Sequence, residues 1–206
     1  MQSVSILKEK YNAINTSIDN DIIDGEQVIR VVKCHKIEIP DENTYAKVVD
    51  SSFHNGIIEV KMLSRLLPDA PQHARGFIGI TFRINENDSE FESFYVRPTN
   101  GRNCEDPIRR SHGCQYFSYP GYTFSYFREF GIDDFESEVN IDLNEWITLR
   151  AEIEDEKGQF YINDMEKPVL VVDNMKHGKG HRGAIGLFVD IGTEGFFKDL
   201  KIIYKD

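Results

Sequence analysis

The chain has few of the residues that cross-link a protein or hold it in a membrane. Its 206 residues include three cysteines and one tryptophan, and no Cys-x-x-Cys or Cys/His spacing of a structural zinc site is present. No stretch approaches the roughly 18 apolar residues of a membrane-spanning helix, which argues against a membrane as partner. Three cysteines leave one thiol unpaired in any disulfide scheme. Cys104 and Cys114 could close a ten-residue loop, or both could be free thiols.

Basic residues are also scarce. The chain has 24 Lys and Arg against 35 Asp and Glu, a formal net charge of −11 at pH 7. A nucleic-acid surface needs a basic patch that displaces counterions from phosphates, so no nucleic-acid partner is expected. The acidity is compatible with a neutral or cationic ligand, or it simply keeps the protein in solution.

The N-terminal segment lacks an apolar run of signal-peptide length. As written, the sequence therefore predicts a cytoplasmic protein. A secreted or periplasmic protein from which the signal peptide has been removed would show the same pattern.

The most prominent features of the sequence are its many aromatic residues and its alternation of apolar and polar residues. There are 14 Phe and 9 Tyr, which favour strands. Apolar residues recur with a period of two in about eleven short segments separated by turn signals, for example residues 57–63, 76–84 and 146–153. This pattern predicts an all-β sandwich or barrel, formed as a single domain over 1–206 with residues 1–26 as a peripheral lead-in. The irregular stretch 99–111 is long enough to be functional or mobile.

Several of these strands carry recognisable motifs. FHNGIIEV at 53–60, GFIGITFR at 76–83 and FESFYVRP at 91–98 are followed by Glu145-Trp146, FYIND at 160–164, GAIGL at 183–187 and FFKDLKI at 196–202. This order resembles concanavalin A-like (LamG-like) jelly-roll domains of bacterial carbohydrate-processing proteins. It is also similar to 3-keto-disaccharide hydrolase domains, over roughly residues 45–204. The resemblance implies an antiparallel two-sheet jelly-roll sandwich and a carbohydrate ligand.

The carboxylate pattern of a retaining glucanase is missing. Such enzymes on this fold carry Glu-x-Asp-x-x-Glu on one strand, and the nearest string, EVNIDLNE at 138–145, has the wrong spacing. Glu92 and Glu59 are weak catalytic candidates. Glu92 shares its parity with apolar Phe94, so it should be buried and paired, for instance with Arg83, unless a bulge turns it outward.

The predicted strands carry polar and aromatic residues at the positions that alternate with the apolar, core-facing ones. These residues form the candidate binding surface. Aromatic faces bind the C–H groups of sugars, and planar donors bind their hydroxyl or carboxylate groups. The alternative is that these are ordinary solvated strand positions. The candidate ligand-binding residues are Arg83, Tyr95, Arg97, Gln115, Tyr116, Trp146 and Arg150.

No metal site is evident from spacing. His177 and His181 lie four apart in a glycine-rich segment that does not favour a helix, so neither a metal nor a cofactor is predicted from them. Lectin-type and LamG-type sandwiches often hold a structural Ca²⁺. The resemblance therefore implies Asp133, Asp134, Asp190 and Asp199 as ligands of such an ion.

Three functions follow in order of preference. The first is a non-catalytic domain that binds a glycan on the concave sheet. The second is a glycan-processing enzyme, a glycoside hydrolase or polysaccharide lyase, with an Arg/Tyr/Glu site on the same face. The third is an intracellular interaction domain without a small ligand. The sequence leaves the sugar, the oligomeric state and the presence of catalysis open.

Overall fold

The computed structural model describes residues 2–5, 7–35 and 37–205, most of them in two antiparallel β-sheets. Sheet A contains β1 (Gln2–Ser3), β3 (Thr16–Ile23), β4 (Glu26–Lys33), β6 (Asn55–Leu66), β11 (Trp146–Glu154), β12 (Lys157–Ile162), β13 (Leu170–Val172) and β15 (Thr193–Lys205). Its strand order is β13-β12-β11-β6-β15-β4-β3, and β1 also pairs with β15.

Sheet B contains β2 (Tyr11–Ile14), β5 (Tyr45–Val48), β7 (Ile78–Ile84), β8 (Phe91–Val96), β9 (Cys114–Tyr119), β10 (Glu136–Ser137) and β14 (Ala184–Val189). Its strand order is β10-β9-β8-β7-β14-β5-β2. Two short helices, α1 (Pro107–Arg110) and α2 (Phe124–Phe130), lie in its connections. Within the described ranges, no helix is long and apolar enough to cross a membrane.

The apolar core lies between the two sheets. On β6, Ile58, Val60 and Met62 are fully buried, whereas Glu59 and Lys61 between them reach solvent. This confirms the predicted alternation, because successive side chains of a strand point to opposite faces. The two-sheet antiparallel sandwich is confirmed.

Aromatic stacking joins the sheets across this core. The ring of Phe94 on β8 stacks on the ring of Phe160 on β12, with centroids 4.3 Å apart and planes 4° apart. Phe82 on β7 packs against the same Phe160 ring at 6.4 Å. Each such side chain contributes about 1.5–3 kcal/mol by leaving water, so the inward face of sheet B is fixed by its packing against sheet A.

The N-terminal segment is part of both sheets, which corrects the expected peripheral lead-in over residues 1–26. Residues Lys8–Lys10 form a 3-10 turn, β2 pairs with β5 in sheet B, and β3 pairs with β4 in sheet A along eight residue pairs. Sequence periodicity did not predict these strands, because β3 is mostly exposed and lacks the alternation of a half-buried strand.

Strand β15 occupies the centre of sheet A. It pairs with β6 from Thr193 to Lys205, and its opposite edge pairs with β4 and with β1. A bulge between Lys198 and Lys201 shifts the register with β6. Thus β15 is the strand that joins β6 and its neighbours to β4 and β3.

The outer face of sheet B is also buried, so it is not an open sugar-binding surface. Five of its aromatic side chains are at most 2% exposed: Tyr45, Phe91, Tyr95, Phe117 and Phe188. Residues 37–44 and α2 are tied together at this face, since Asp41 accepts a hydrogen bond from Phe124 N at 2.6 Å. The part of this side of sheet B that remains accessible to solvent lies at one end of the sheet.

Candidate functional site

Four strand ends of sheet B meet at that end. β7 begins at Ile78 and β9 at Cys114, whereas β8 ends at Val96 and β14 at Val189. Starts and ends alternate along one edge because neighbouring strands are antiparallel, and Ile78 lies opposite both Val96 and Val189. The connecting segments leave the sheet here, so residues from distant parts of the sequence converge.

These segments enclose a cavity of about 600 Å³, which we call the arginine pocket. Its volume lies in the range of roughly 300–1,000 Å³ found for small-molecule sites. A second cavity of about 410 Å³ adjoins it and shares Glu38, His73 and Ile191 with it. The arginine pocket is lined by Glu38, Pro40, His73, Arg75, Phe77, Tyr95, Arg97, Asn100, Ile108, Arg109, His112, Phe124, Arg128 and Ile191.

Arg97 lies at the base of the pocket. Its Nη1 donates to Glu136 Oε1 at 2.6 Å and to His112 O at 2.9 Å. Its Nη2 donates to the Tyr95 hydroxyl at 2.9 Å and to Gln115 Oε1. Tyr95 and Gln115 are directly opposite each other on β8 and β9, so the sheet register itself sets this network. Three of the seven predicted binding residues, Tyr95, Arg97 and Gln115, are therefore in contact.

Glu136, at the start of β10, is shared by three basic side chains. Besides Arg97, its carboxylate lies 3.0 Å from His112 Nδ1 and 2.6 Å from Arg128 Nη2. The Arg128 guanidinium also lies over the Phe124 ring, 5.1 Å from its centroid. The charges of Arg97 and Arg128 are thus already partly balanced within the protein.

A second acidic group lies behind the pocket. Asp190 is ion-paired with Lys33 and accepts a hydrogen bond from Asp41 N at 2.9 Å. Burial, and then repulsion from Asp190, raise the pKa of Asp41 to about 7, against the lowering effects of Phe124 N–H and Arg97. This pair links residues 37–44 and α2 to the end of β14.

The other four predicted binding residues lie elsewhere, so the seven do not form one surface. Arg83 is at the opposite end of sheet B and is 1% exposed. Tyr116 points between the sheets, because on β9 it has the opposite parity to Gln115. Trp146 and Arg150 belong to β11 of sheet A, which the parity of isolated strands could not reveal.

Arg83 forms hydrogen bonds with three backbone oxygens and one side-chain oxygen. Its guanidinium donates to His54 O at 2.9 Å, Gly178 O at 3.3 Å, Asn55 Oδ1 at 3.1 Å and Asp155 O at 2.6 Å. These bonds hold three loops against the end of β7. Burial lowers the pKa of Arg83, and the neighbouring Glu92 charge opposes that effect.

Glu92, the first catalytic candidate, is enclosed on the inward face of sheet B. It accepts hydrogen bonds from the Tyr116 hydroxyl and from His177 N at 3.1 Å. It is buried as expected, but no bulge turns it outward and its direct partners are a tyrosine and a backbone N–H. Burial raises the pKa of Glu92, and the Tyr116 bond opposes that effect.

Glu59, the second catalytic candidate, lies on the outer face of sheet A. It is opposite Arg150 in the register of β6 and β11 and 3.2 Å from Lys201 Nζ. Trp146 on the same face is covered by Lys198, whose Nζ lies 4.2 Å from the ring centroid. Neither carboxylate is near the arginine pocket.

The residues proposed for calcium do not assemble a site. Asp133 pairs with Arg128, Asp190 with Lys33 and Asp199 with Lys61, and Asp134 is exposed. Among the described residues, no three His, Cys, Asp or Glu side chains are grouped as metal ligands. A calcium ion needs its oxygen ligands in one cluster, whereas three of these aspartates pair with three different basic residues. The rings of His177 and His181 lie 5.0 Å apart.

Most pocket residues come from loops that carry no strand pattern. Arg75 precedes β7, Arg109 is in α1 and Arg128 is in α2. The sequence feature that pointed to the pocket was the irregular stretch 99–111, which contributes Asn100, Ile108 and Arg109 to the lining. Periodicity assigns faces only within strands, so it could not place these residues.

No protein-family model and no curated protein matches this chain. Solved structures do match. The carbohydrate-binding module CBM66 from Bacillus subtilis aligns with a TM-score of 0.59 and 13% identity over 94% of each chain. The chain has the concanavalin A-like jelly-roll fold.

Other jelly rolls agree with it at similarly low identity. A candidate glycosyl hydrolase from Parabacteroides distasonis aligns with a TM-score of 0.54 and 13% identity, over 96% of this chain and 89% of that one. A protein of unknown function with a galectin-like fold from Bacillus subtilis gives 0.54 at 9% identity, over 96% and 92%. At these identities the likeness establishes the fold alone, which a carbohydrate-binding module and a candidate glycosyl hydrolase share.

Proposed function

We propose that this protein binds a carbohydrate and that the ligand lies in the arginine pocket. The observation that carries the proposal is the convergence of four guanidinium groups with Phe77, Tyr95 and Phe124 around one open cavity of about 600 Å³. Planar guanidinium groups donate several hydrogen bonds to sugar oxygens, and aromatic rings pack on sugar C–H faces. The jelly-roll fold, which a carbohydrate-binding module shares, supports the same ligand class.

The dimensions of the site favour more than one sugar ring. The cavity of about 410 Å³ next to the arginine pocket shares Glu38, His73 and Ile191 with it. An oligosaccharide held in the arginine pocket would extend into this second space. We therefore expect a disaccharide or longer ligand to bind more tightly than its terminal monosaccharide.

The carboxylates favour binding over cleavage. A glycosidase places two carboxyl groups about 5–10 Å apart on either side of the scissile bond. Glu136, beneath the arginine pocket, is held by Arg97, Arg128 and His112, and Glu38 is the one carboxylate among the described residues of the lining. We therefore assign the pocket a binding role.

A glycan array, followed by calorimetric titration of each hit, tests the proposal. Phe77→Ala removes an aromatic wall and should weaken binding about tenfold, a loss of about 1.4 kcal/mol. Phe130→Ala is the matched control, because Phe130 is 60% exposed and outside the pocket lining, and it should bind like wild type.

Two results would overturn the proposal. The absence of binding to any neutral or acidic glycan on the array would remove the carbohydrate role. Equal weakening by Phe77→Ala and Phe130→Ala would place the ligand elsewhere. Mass spectrometry of each hit after incubation adds a further test, since cleavage products would show an enzyme in place of a binding domain.

A further inference from the structure

Two of the four arginines in the pocket have no acidic partner in the part of the chain that the structure describes. Arg97 and Arg128 pair with Glu136. Arg75 instead donates from Nη1 to two backbone oxygens, Gln72 O and Ala74 O, both at 2.8 Å. Arg109 donates from Nη2 to the neutral Asn100 Oδ1 at 3.2 Å. Arg75 and Arg109 therefore keep a full positive charge at the cavity wall.

Arg109, a lining residue, also has a side-chain donor without an acceptor. Its Nε is buried and has no hydrogen-bond partner among the described residues. A buried donor without an acceptor is unfavourable, because it has lost its hydrogen bonds to water. An oxygen-bearing ligand in the pocket would supply the missing acceptor.

The arginines also repel one another. The pKa of Arg75 is lowered by burial first and then by the charges of Arg109 and Arg97. The lining carries four guanidinium groups and one carboxylate, that of Glu38, whereas the carboxylate of Glu136 pairs with Arg97 and Arg128 outside the lining. This local excess of positive charge stands in a chain whose formal net charge is −11. An anion in the pocket would relieve the repulsion.

A carboxylate is the anion that fits this arrangement best. The guanidinium fork matches the two oxygens of a carboxylate, with two parallel N–H···O bonds. Phe77 lines the same cavity as these arginines and offers a surface on which an apolar sugar face can pack. One ligand that combines both features is a sugar ring bearing a carboxyl group.

We propose that the arginine pocket selects saccharides that carry a carboxylate, with Arg75 and Arg109 as the groups that bind it. This inference rests on the proposed carbohydrate function and narrows its ligand class. Arg97 and Arg128, held by Glu136, shape the pocket floor and contribute less to the choice between acidic and neutral sugars.

The test uses the full chain and glycans that differ only at the acidic group. On the array, each uronic acid-containing or sialylated glycan is compared with its neutral counterpart, in which a hydroxymethyl group or methyl ester replaces the carboxylate. We expect the acidic member of at least one pair to bind tenfold or more tightly, with a preference that falls as salt screens the charges.

The variant Arg109→Gln separates charge recognition from general binding. It should weaken binding of the acidic member about tenfold more than binding of the neutral member, equivalent to about 1.4 kcal/mol of lost preference, because only the acidic member loses a charge-assisted bond. The control is Arg102→Gln, a residue of the same loop that pairs with Glu145 outside the pocket. Equal melting temperatures for both variants exclude a folding defect.

The outcomes distinguish the two proposals. Equal binding of acidic and neutral members overturns the charge selectivity and leaves carbohydrate binding intact. Tight binding of sulfated glycans alone overturns the carboxylate assignment. No binding of any glycan overturns both. An unchanged preference in Arg109→Gln shows that the carboxylate, if selected, is bound by other residues.

Discussion

Arg97 and Glu136 form an ion pair that is almost closed to water. Arg97 Nη1 lies 2.6 Å from Glu136 Oε1, and the two side chains are only 4% and 3% exposed. Arg97 is the residue after β8, and Glu136 begins β10, on the far side of β9. The pair therefore spans one edge of sheet B beneath the arginine pocket. Removing one partner of a buried ion pair leaves an unbalanced charge inside the protein. The resulting loss of stability is far larger than the loss of an exposed ion pair.

Glu136→Gln should destabilise the protein by about 3 kcal/mol, because it leaves the buried Arg97 charge without its counter-ion. Urea unfolding monitored by tyrosine fluorescence or circular dichroism measures this loss. Glu138→Gln is the matched control. Its carboxylate is 64% exposed and 3.9 Å from Arg110, so the change should stay within about 0.5 kcal/mol. Similar effects of the two substitutions would show that the Glu136 pair adds nothing to stability.

Arg83→Met should also lower stability, by roughly 3 kcal/mol. The substitution removes the donors for His54 O, Asp155 O and Gly178 O, and each such hydrogen bond contributes about 1 kcal/mol. Arg182→Met, at an exposed site, is the control. If thermal unfolding of Arg83→Met matches that of the control, the three loops are held by other contacts.

The pH dependence of stability should carry a contribution from Asp41. Its pKa in the folded protein is raised from 3.8 to about 7, chiefly by burial and then by Asp190, with Arg97 and Tyr95 acting in the opposite direction. The folded protein therefore binds this proton more tightly than the unfolded chain. Stability from this group is complete below about pH 4 and is lost as pH rises towards 7.

Asp41→Asn removes this titration and keeps an oxygen acceptor for Phe124 N–H. The stability of the variant relative to wild type should rise between pH 4 and pH 7, with a slope of at most about 1.4 kcal/mol per pH unit. Urea unfolding of both proteins at unit pH steps gives the difference directly. A difference that does not change with pH would mean that Asp41 does not titrate in this range.

The three cysteines should react at different rates. All are free thiols in the structure, with Cys104 and Cys114 buried and Cys34 half-buried. Burial raises the pKa of the Cys114 thiol to about 11, against the opposing hydrogen bond to Ser137, and the thiolate is the reactive form. Iodoacetamide labelling followed by mass spectrometry should modify Cys34 first and the other two only after unfolding.

The result for Cys104 and Cys114 also decides between the alternatives that the sequence left open. A protein purified without reductant should gain three labels in denaturant. A mass lower by the two hydrogens of a disulfide, together with a single label located on Cys34, would show that Cys104 and Cys114 are bonded. The variant Cys34→Ser should lose only the fast phase.

Strand periodicity was sufficient to predict the sandwich. In β6 and β11 the apolar parity faces the core as expected, because each has one buried face and one exposed face. β7 and β8 are buried on both faces. The alternation correctly predicted that Tyr95 and Arg97 point away from the core between the sheets. It could not show that α2 and residues 37–44 lie near these two residues.

The composition of the pocket depended on tertiary structure. Sequence alternation places Trp146 and Arg97 alike, at positions that point away from the core. They nevertheless belong to different sheets, and only the pairing of the strands shows to which sheet each residue belongs. Arg75, Arg109 and Arg128 come from segments without a repeating pattern. Convergence of such segments depends on which strand ends meet at an edge, and local sequence contains no information on that pairing.

The position of β15 has a consequence for how the chain folds. It lies between β6 and β4, so sheet A remains two separate ladders, one ending at β6 and the other at β4, until β15 inserts. Its partners on β4 lie more than 160 residues earlier, since Phe196 pairs with Arg30. Long-range pairing of this kind slows folding. We infer that closure of sheet A is a late event, during which the unpaired edges of β6 and β4 are the segments most exposed to intermolecular pairing.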